Sequence, residues 1–381
     1  MTKVYIVRHA EAEGNLYRRL HGHYDGDLTE NGLRQVTALE ERFRPIHLDA
    51  VYSSDLRRCK KTARALYEHK NLPLRLDTGL REMKMGEWEG KPWGELGRTE
   101  ADMVAKFHAC SPDFRAPGGE SFEELRERVS GTILRLAAKH EGQTIGIATH
   151  YLALRSALSV FHGCRVEEMN AVIPRCDNTG VSLLEIEGGR VNILFECDNS
   201  HLPPELSTLG RQNRALRSNN AAPEANLWYR PWEPVGEGDL YLRFRQDAWH
   251  LVHPNDPFDG EGFYRQALAA SVNDPWSVVC AMQGDRIAGM LQMDKERYAG
   301  EGAGFIYFYY VAPEVRRQRL GIQLLGQAVS TFRPLGRKTV RLRCSPDNQV
   351  GLHFYEKYGF YAIGNAEDST VPLILLEKNI E

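Results

Sequence analysis

Arg8 and His9 end the first apolar run of the chain, Val4–Val7, in the stretch YIVRHAEAEGN. A second pair of cations, Arg57 and Arg58, follows the apolar Ala50–Tyr52 in SSDLRRCKKTA, and His150 follows Ile145–Ala148 in ATHYLALR. If each run is a strand of one open sheet, these side chains meet beyond the strands' carboxyl ends, where such sheets bind ligands. Arg8, His9, Arg57 or Arg58, and His150 would then form a small cationic bowl. A dianionic phosphate is its natural occupant, because guanidinium forks match phosphate oxygens. A neutral imidazole can also attack phosphorus and carry the phosphoryl group, while its cationic neighbours stabilise the equatorial oxygens. A proton donor is needed for the leaving oxygen, and LREMKMGEWEG supplies Glu82, Glu87 and Glu89.

The elements that must position these groups follow from periodicity. Helical spacing over Gly32–Phe43, from Cys59 through Tyr67, over Glu120–Ala138 and over Leu152–Phe161 alternates with the short apolar runs. Ser121 followed three residues later by Glu124 predicts a capping box. Val181–Ile186 and Val191–Glu196 predict a hairpin around Gly188-Gly189. Strands alternating with helices imply an α/β layer fold.

Length and composition bound the rest. The 381 residues, 42% hydrophobic and 26% charged, imply two or three globular domains. A net charge of −3 gives no basic field for nucleic acid. The seven cysteines are scattered without a C-x-x-C pair, so neither a disulfide framework nor a cysteine-built metal site is expected. His21-Gly22-His23 lacks visible third and fourth ligands, and no metal is expected there. Arg8 and His9 interrupt the only early apolar run, so no signal peptide or membrane association is expected, and the reading is cytoplasmic. Oligomeric state is not legible.

Composition shifts over residues 199–236, rich in Asn and Pro, which read as a linker or a wrapping arm whose Trp228 and Trp232 argue for docking. Beyond it, apolar runs near Ser277–Met282, Ile287–Met293 and Phe305–Val311 predict strands. Leu320–Phe332 predicts a helix with one apolar face. The turn before that helix holds Arg316, Arg317, Gln318, Arg319 and Gly321, and a helix N-terminus beside arginines suits a pyrophosphate.

The ordered motifs VRHAEAEGN, GDLTENG, YSSDLRRCKKTA, LREMKMGEWEG, APGGESFEELRERV and ATHYLALR together resemble the histidine phosphatase (phosphoglycerate mutase-like) superfamily over residues 1–198. The resemblance implies a three-layer α/β/α domain that needs no cofactor. His9 would be the phosphorylated nucleophile. Arg8, Asn15 and Arg58 would bind the phosphoryl group, and His150 would complete the pocket. Glu82 would be the general acid, with His21 and Gly22 against the substrate. Ala10 and Tyr151 depart from the usual pattern, and Tyr151 adds bulk at the pocket edge. The compact spacing before His150 resembles the phosphatase branch more than the mutases.

VAPEVRRQRLG and the N-x5-FY-x3-GF pattern of Asn348–Phe360 resemble the GNAT acyltransferases over residues 237–381. That resemblance implies an α+β domain with a central mixed sheet, using acetyl-CoA to acetylate an unidentified amine. Val311 would offer backbone groups to the pantetheine arm. Arg316, Arg317, Gln318, Arg319, Leu320, Gly321 and Ile322 would cradle the pyrophosphate, Asn348 would contact the cofactor, and Tyr355 would serve as general acid. Arg319 stands where the family usually has its first glycine. The expectation is a bifunctional protein acting on a small phosphomonoester and an amine. Its rivals are a phosphatase with a non-catalytic acetyl-CoA-binding module, and a mutase.

Overall fold

A computed structural model describes residues 1–211, 226–366, 369 and 371–381. The chain divides into two compact units, Met1–Lys91 with Leu96–Glu224 and Pro92–Glu95 with Ala225–Glu381. Among the described residues no helix is long and apolar enough to cross a membrane.

The first unit carries a six-stranded sheet. Its strands are β1 (Thr2–Arg8), β2 (Ala50–Ser53), β3 (Leu74–Leu76), β4 (Thr144–Thr149), β5 (Val181–Glu187) and β6 (Arg190–Asp198), in the order β3-β2-β4-β1-β5-β6. The first four run parallel, and β5 and β6 form the expected antiparallel hairpin. Long helices connect them: α1 (Glu30–Phe43), α2 (Arg57–Tyr67), α3 (Phe122–Lys139) and α4 (Tyr151–Phe161). Thr29 caps α1 by accepting the Gly32 N–H at 3.0 Å. The Ser121–Glu124 capping box starts α3, with reciprocal bonds of 3.2 and 3.0 Å. Gly32, Gln35, Leu39 and Phe43 turn one face of α1 inward, and Leu39 and Phe43 pack with Val7, Val51, Leu66 and Ala148 against the sheet.

Residues 199–211 belong to this unit structurally. The Asp177 carboxylate, 1% exposed, accepts from Ser207 Oγ at 2.6 Å, Asn199 Nδ2 at 3.0 Å and the Leu209 N–H at 3.1 Å. The buried Glu11 carboxylate accepts from Thr208 Oγ1 at 3.1 Å and pairs with Arg211. Residues 212–225 of the segment read as linker or arm lie outside the described residues.

The second unit begins before residue 237. Trp228–Pro231 forms β7, and Trp232 is 3% exposed in the core. Strands β8 (Val278–Gln283), β9 (Arg286–Asp294), β10 (Ala303–Val311), β11 (Thr339–Cys344), β12 (Tyr361–Asn365) and β13 (Ile374–Asn379) complete a mixed sheet in the order β12-β13-β11-β10-β9-β8-β7. Helices α5 (Pro234–His250) and α6 (Gly260–Asn273), which periodicity did not announce, contribute Tyr241 and Ala267 to a core with Val278, Met290 and Phe308. Helices α7 (Gly321–Phe332) and α8 (Gln349–Lys357) follow β10 and β11. The β10–β11 pair is the one parallel pair of this sheet among the described residues, and its register runs only from Ala303↔Thr339 to Ile306↔Leu342. Beyond it the two strands separate.

Ser207→Ala removes a hydrogen bond to a buried carboxylate and is expected to lower unfolding free energy by about 1.5–3 kcal/mol. Denaturant titration of the full chain checks this; an unchanged midpoint would show that residues 199–211 do not stabilise the unit.

Candidate active sites

The register of β1 and β4 builds the first site. Arg8 is opposite Thr149, so the next residues, His9 and His150, leave the sheet side by side. Their ring centroids lie 5.2 Å apart at an interplanar angle of 64°. His9 Nδ1 donates to the Ala10 carbonyl at 2.7 Å, which leaves Nε2 of the neutral ring with its lone pair. Burial first, then the Arg58 and Arg8 guanidinium groups, hold His9 well below the ordinary histidine range. Burial, Arg58 and His9 do the same to His150. His150 Nε2 lies 2.9 Å from Ser54 Oγ and 3.3 Å from Cys59 Sγ.

Both arginines are held by carbonyls, and Arg8 also by a ring. Arg58, 1% exposed, donates to the Gly22 carbonyl at 2.7 Å and the Tyr24 carbonyl at 2.9 Å. Arg8 donates to the Cys176 carbonyl at 2.6 Å. The Nε atoms of both are buried without an acceptor among the described residues. The Tyr151 ring carries Arg8 at 4.6 Å and Arg155 at 5.2 Å. Of the two candidates in SSDLRR, Arg58 enters the buried cluster, while Arg57 is half-buried and its backbone N–H donates to Asp25 Oδ1 at 2.6 Å.

The three candidate acids separate cleanly. Glu82 is 6% exposed, and its carboxylate accepts the Leu152 and Ala153 N–H groups of α4 at 3.1 and 2.9 Å. Glu89 instead accepts the N–H groups of Gly22, His23 and Tyr24 at 3.2, 2.8 and 2.7 Å and so shapes that loop. Glu87 is exposed. Gly22 has no room for a side chain, since a Cβ would stand 2.5 Å from both the Met83 carbonyl and Glu89 Oε1. His21 lies in the same loop, its ring 4.7 Å from Tyr24. Asn15 Oδ1 accepts the Ala12 N–H at 3.1 Å, so only its amide nitrogen can serve a ligand. Sequence reasoning missed Ser54, Tyr151's support of Arg8, and Asn178, whose Nδ2 donates to the His9 carbonyl at 3.0 Å. The polar run DNTG after Cys176 was the available signal.

In the second unit, β10 ends at Val311 and the turn to α7 holds the expected basic residues. Arg317 and Arg319 adopt φ of 64° and 60°, the left-handed region that favours glycine. Arg319 thus takes the backbone shape a glycine would give, and its side chain is exposed. Leu320 offers α7 no side-chain cap. The N–H groups of Arg317, Gln318, Arg319, Leu320, Gly321 and Ile322 find no acceptor among the described residues. Such a run of free donors makes an anion-binding concavity. Arg316 differs from expectation: its guanidinium donates to the Val311 carbonyl at 2.9 Å and pairs with Asp247 at 3.0 Å, which makes it a brace for the turn. Asn348 caps α8 through the Gly351 N–H at 2.9 Å. Tyr355 is buried, and burial and then Cys344 push its phenol well up.

Comparison with known proteins follows the same division. The profile of the histidine phosphatase superfamily (branch 1) matches residues 4–199, and that of the acetyltransferase (GNAT) family matches residues 240–360. A metal-independent phosphoserine phosphatase of Arabidopsis thaliana is 35% identical over 162 residues, 41% of this chain and 67% of the relative. Phosphoserine phosphatase 1 of Hydrogenobacter thermophilus is 30% identical over 202 residues, 53% of this chain and 95% of the relative. The solved structure of Bacillus stearothermophilus YhfR superimposes with a TM-score of 0.51 at 29% identity, covering 53% of this chain and 99% of that one.

The depressed histidines make a pH prediction. In the unfolded chain His9 and His150 protonate near pH 6.5; in the folded chain they stay neutral to lower pH. Unfolded molecules therefore bind more protons below pH 6.5, and stability falls with acidification by up to about 1.4 kcal/mol per pH unit for each histidine. Denaturation at pH 7.5 and 5.5 should show this loss, and His9→Gln should reduce it. An equal loss in wild type and variant would contradict the assignment.

Proposed function

The chain belongs to the histidine phosphatase superfamily and carries a GNAT domain, and from that premise we propose that it hydrolyses a small phosphomonoester through phospho-His9 and transfers an acetyl group from acetyl-CoA to an amine. The observation that carries the first half is the neutral His9, with Nε2 unengaged beside two buried guanidinium groups that no carboxylate pairs among the described residues. Nε2 attacks phosphorus as the ester P–O bond breaks, and the Arg8 and Arg58 donors without partners receive the equatorial oxygens. Glu82, fixed by the first N–H groups of α4, gives its proton to the leaving oxygen. It then takes a proton from the water that displaces His9 from phosphorus, and phosphate is released. His150 and the amide nitrogen of Asn15 complete the oxygen contacts, with the His21–Gly22 loop against the rest of the substrate. The phosphoserine phosphatases among the relatives make phosphoserine the first substrate to test.

For the second half, the separation of β10 from β11 past Ile306 and the free N–H run of residues 317–322 suit a pantetheine arm and a pyrophosphate. When bound, acetyl-CoA supplies an activated acetyl thioester. Val311 ends the strand along which the arm would lie, Arg317 and Arg319 add charge to the N–H cradle, and Asn348 stands at the start of α8. The raised Tyr355 phenol keeps its proton at neutral pH and can give it to the departing sulfur.

His9→Ala is expected to abolish phosphoserine hydrolysis without added metal and to remove the phosphoryl label that mass spectrometry finds on the wild type. Glu82→Gln should slow turnover roughly 10²–10⁴-fold. Hydrolysis that survives His9→Ala would refute the mechanism. The double change Arg317→Ala, Arg319→Ala should weaken acetyl-CoA binding about tenfold or more in calorimetry, by loss of charged hydrogen bonds; unchanged affinity would place the pyrophosphate elsewhere.

A further inference from the structure

Arg245 is a buried cation with no hydrogen-bond or ion-pair partner among the described residues. Helix α5 turns Tyr241 and Arg245, one helical turn apart, toward the sheet. Arg245 is 9% exposed, and its guanidinium carbon lies 3.8 Å from the Phe263 ring centroid, 4.4 Å from Phe308 and 5.5 Å from Tyr307. Its nitrogens make no hydrogen bond and no ion pair among the described residues. Aromatic faces compensate only part of the cost of removing a guanidinium from water, so a cation placed this way lacks its anion.

The surroundings indicate where that anion would sit. The register of β10 against β9 jumps from Ile306↔Met293 to Phe308↔Gln292, which makes Tyr307 the extra residue of a bulge. Bulges re-aim side chains and are frequent beside active sites. Tyr307 is also the first residue beyond the last β10–β11 pair, so Arg245 meets the sheet where it opens. The Tyr307 hydroxyl donates to nothing among the described residues. Gln292 is 2% exposed; its Oε1 takes the Tyr241 hydroxyl at 2.9 Å, and its Nε2 donates to nothing among them. A planar fork with two neutral donors in the same region suits a carboxylate.

We propose that Arg245 binds the carboxylate of the acetyl acceptor, so that the amine acetylated by this domain is of the amino-acid class. This rests on the acetyltransferase reading above, and the amine nitrogen then attacks the thioester carbonyl as the carbon–sulfur bond breaks, one proton passing from nitrogen to the thiol.

The test uses the full chain, with CoA release measured on the proteinogenic amino acids, on their decarboxylated amines such as ethanolamine, and on 2-aminoethylphosphonate, which a phosphatase does not cleave. At least one amino acid should be acetylated with a kcat/KM roughly 30-fold or more above its decarboxylated amine. Arg245→Leu should erase that preference through KM while acetyl-CoA affinity stays unchanged, and Arg245→Lys should restore part of it. Equal use of amine and amino acid, or an unaltered preference in Arg245→Leu, overturns the proposal; preference for the phosphonate overturns the carboxylate assignment. If no amine turns over, the acetyltransferase reading fails, and the Arg245 Nε–H resonance decides the subsite separately. A saturable shift of that resonance on adding N-acetylserine with CoA supports it, and no shift ends it.

Discussion

Two guanidinium groups stand buried beside two neutral imidazoles, and among the described residues no carboxylate pairs with either cation. Most of the first unit can be read as a response to that constraint. Like charges repel, and each cation removed from water needs oxygen partners. Backbone carbonyls provide them: those of Gly22 and Tyr24 for Arg58, and that of Cys176 for Arg8. Each carbonyl must then be held by something else. Glu89 gathers the N–H groups of residues 22–24, and Asn178 ties its segment to the His9 carbonyl. Acidic groups therefore shape the loops around the cations without quenching them, and the charge remains for a ligand.

The same economy appears in the second unit at lower charge density. Arg316 spends its guanidinium on the Val311 carbonyl and Asp247, while the backbone from Arg317 onward presents donors. Backbone N–H dipoles held in one direction by the turn suit an anion whose charge is spread over several oxygens. The left-handed backbone at Arg317 and Arg319 is tolerable because their side chains leave toward solvent.

Much of this was legible in the residues and much was not. Short strands ending in Arg8-His9 and before His150 announce themselves, because an apolar run must be buried and the charged residue that ends it must not be. The capping box at Ser121 is local chemistry and transfers directly to the helix start. Helix α5 was hidden because its inward face carries Arg245 one turn from Tyr241, so a core position reads as polar. Strand β7 falls in the segment that reads as a linker or a docking arm, because its four residues show no period and pairing with β8 defines it. Asn15 and Asn348 show a different limit. Their placement near the sites is visible in the motifs, but the caps that occupy one side-chain oxygen each depend on local backbone geometry.

The anchoring of residues 199–211 bears on how such two-part chains can be recombined. The family profile of the first unit stops at residue 199, yet Ser207, Thr208 and Arg211 still serve the carboxylates of Asp177 and Glu11, the latter two positions from His9. A crossover placed at the profile's border would take the Ser207 and Leu209 donors from Asp177 and the Thr208 and Arg211 donors from Glu11. Chimeras joined beyond residue 211 keep these donors, and with them the partners of both carboxylates.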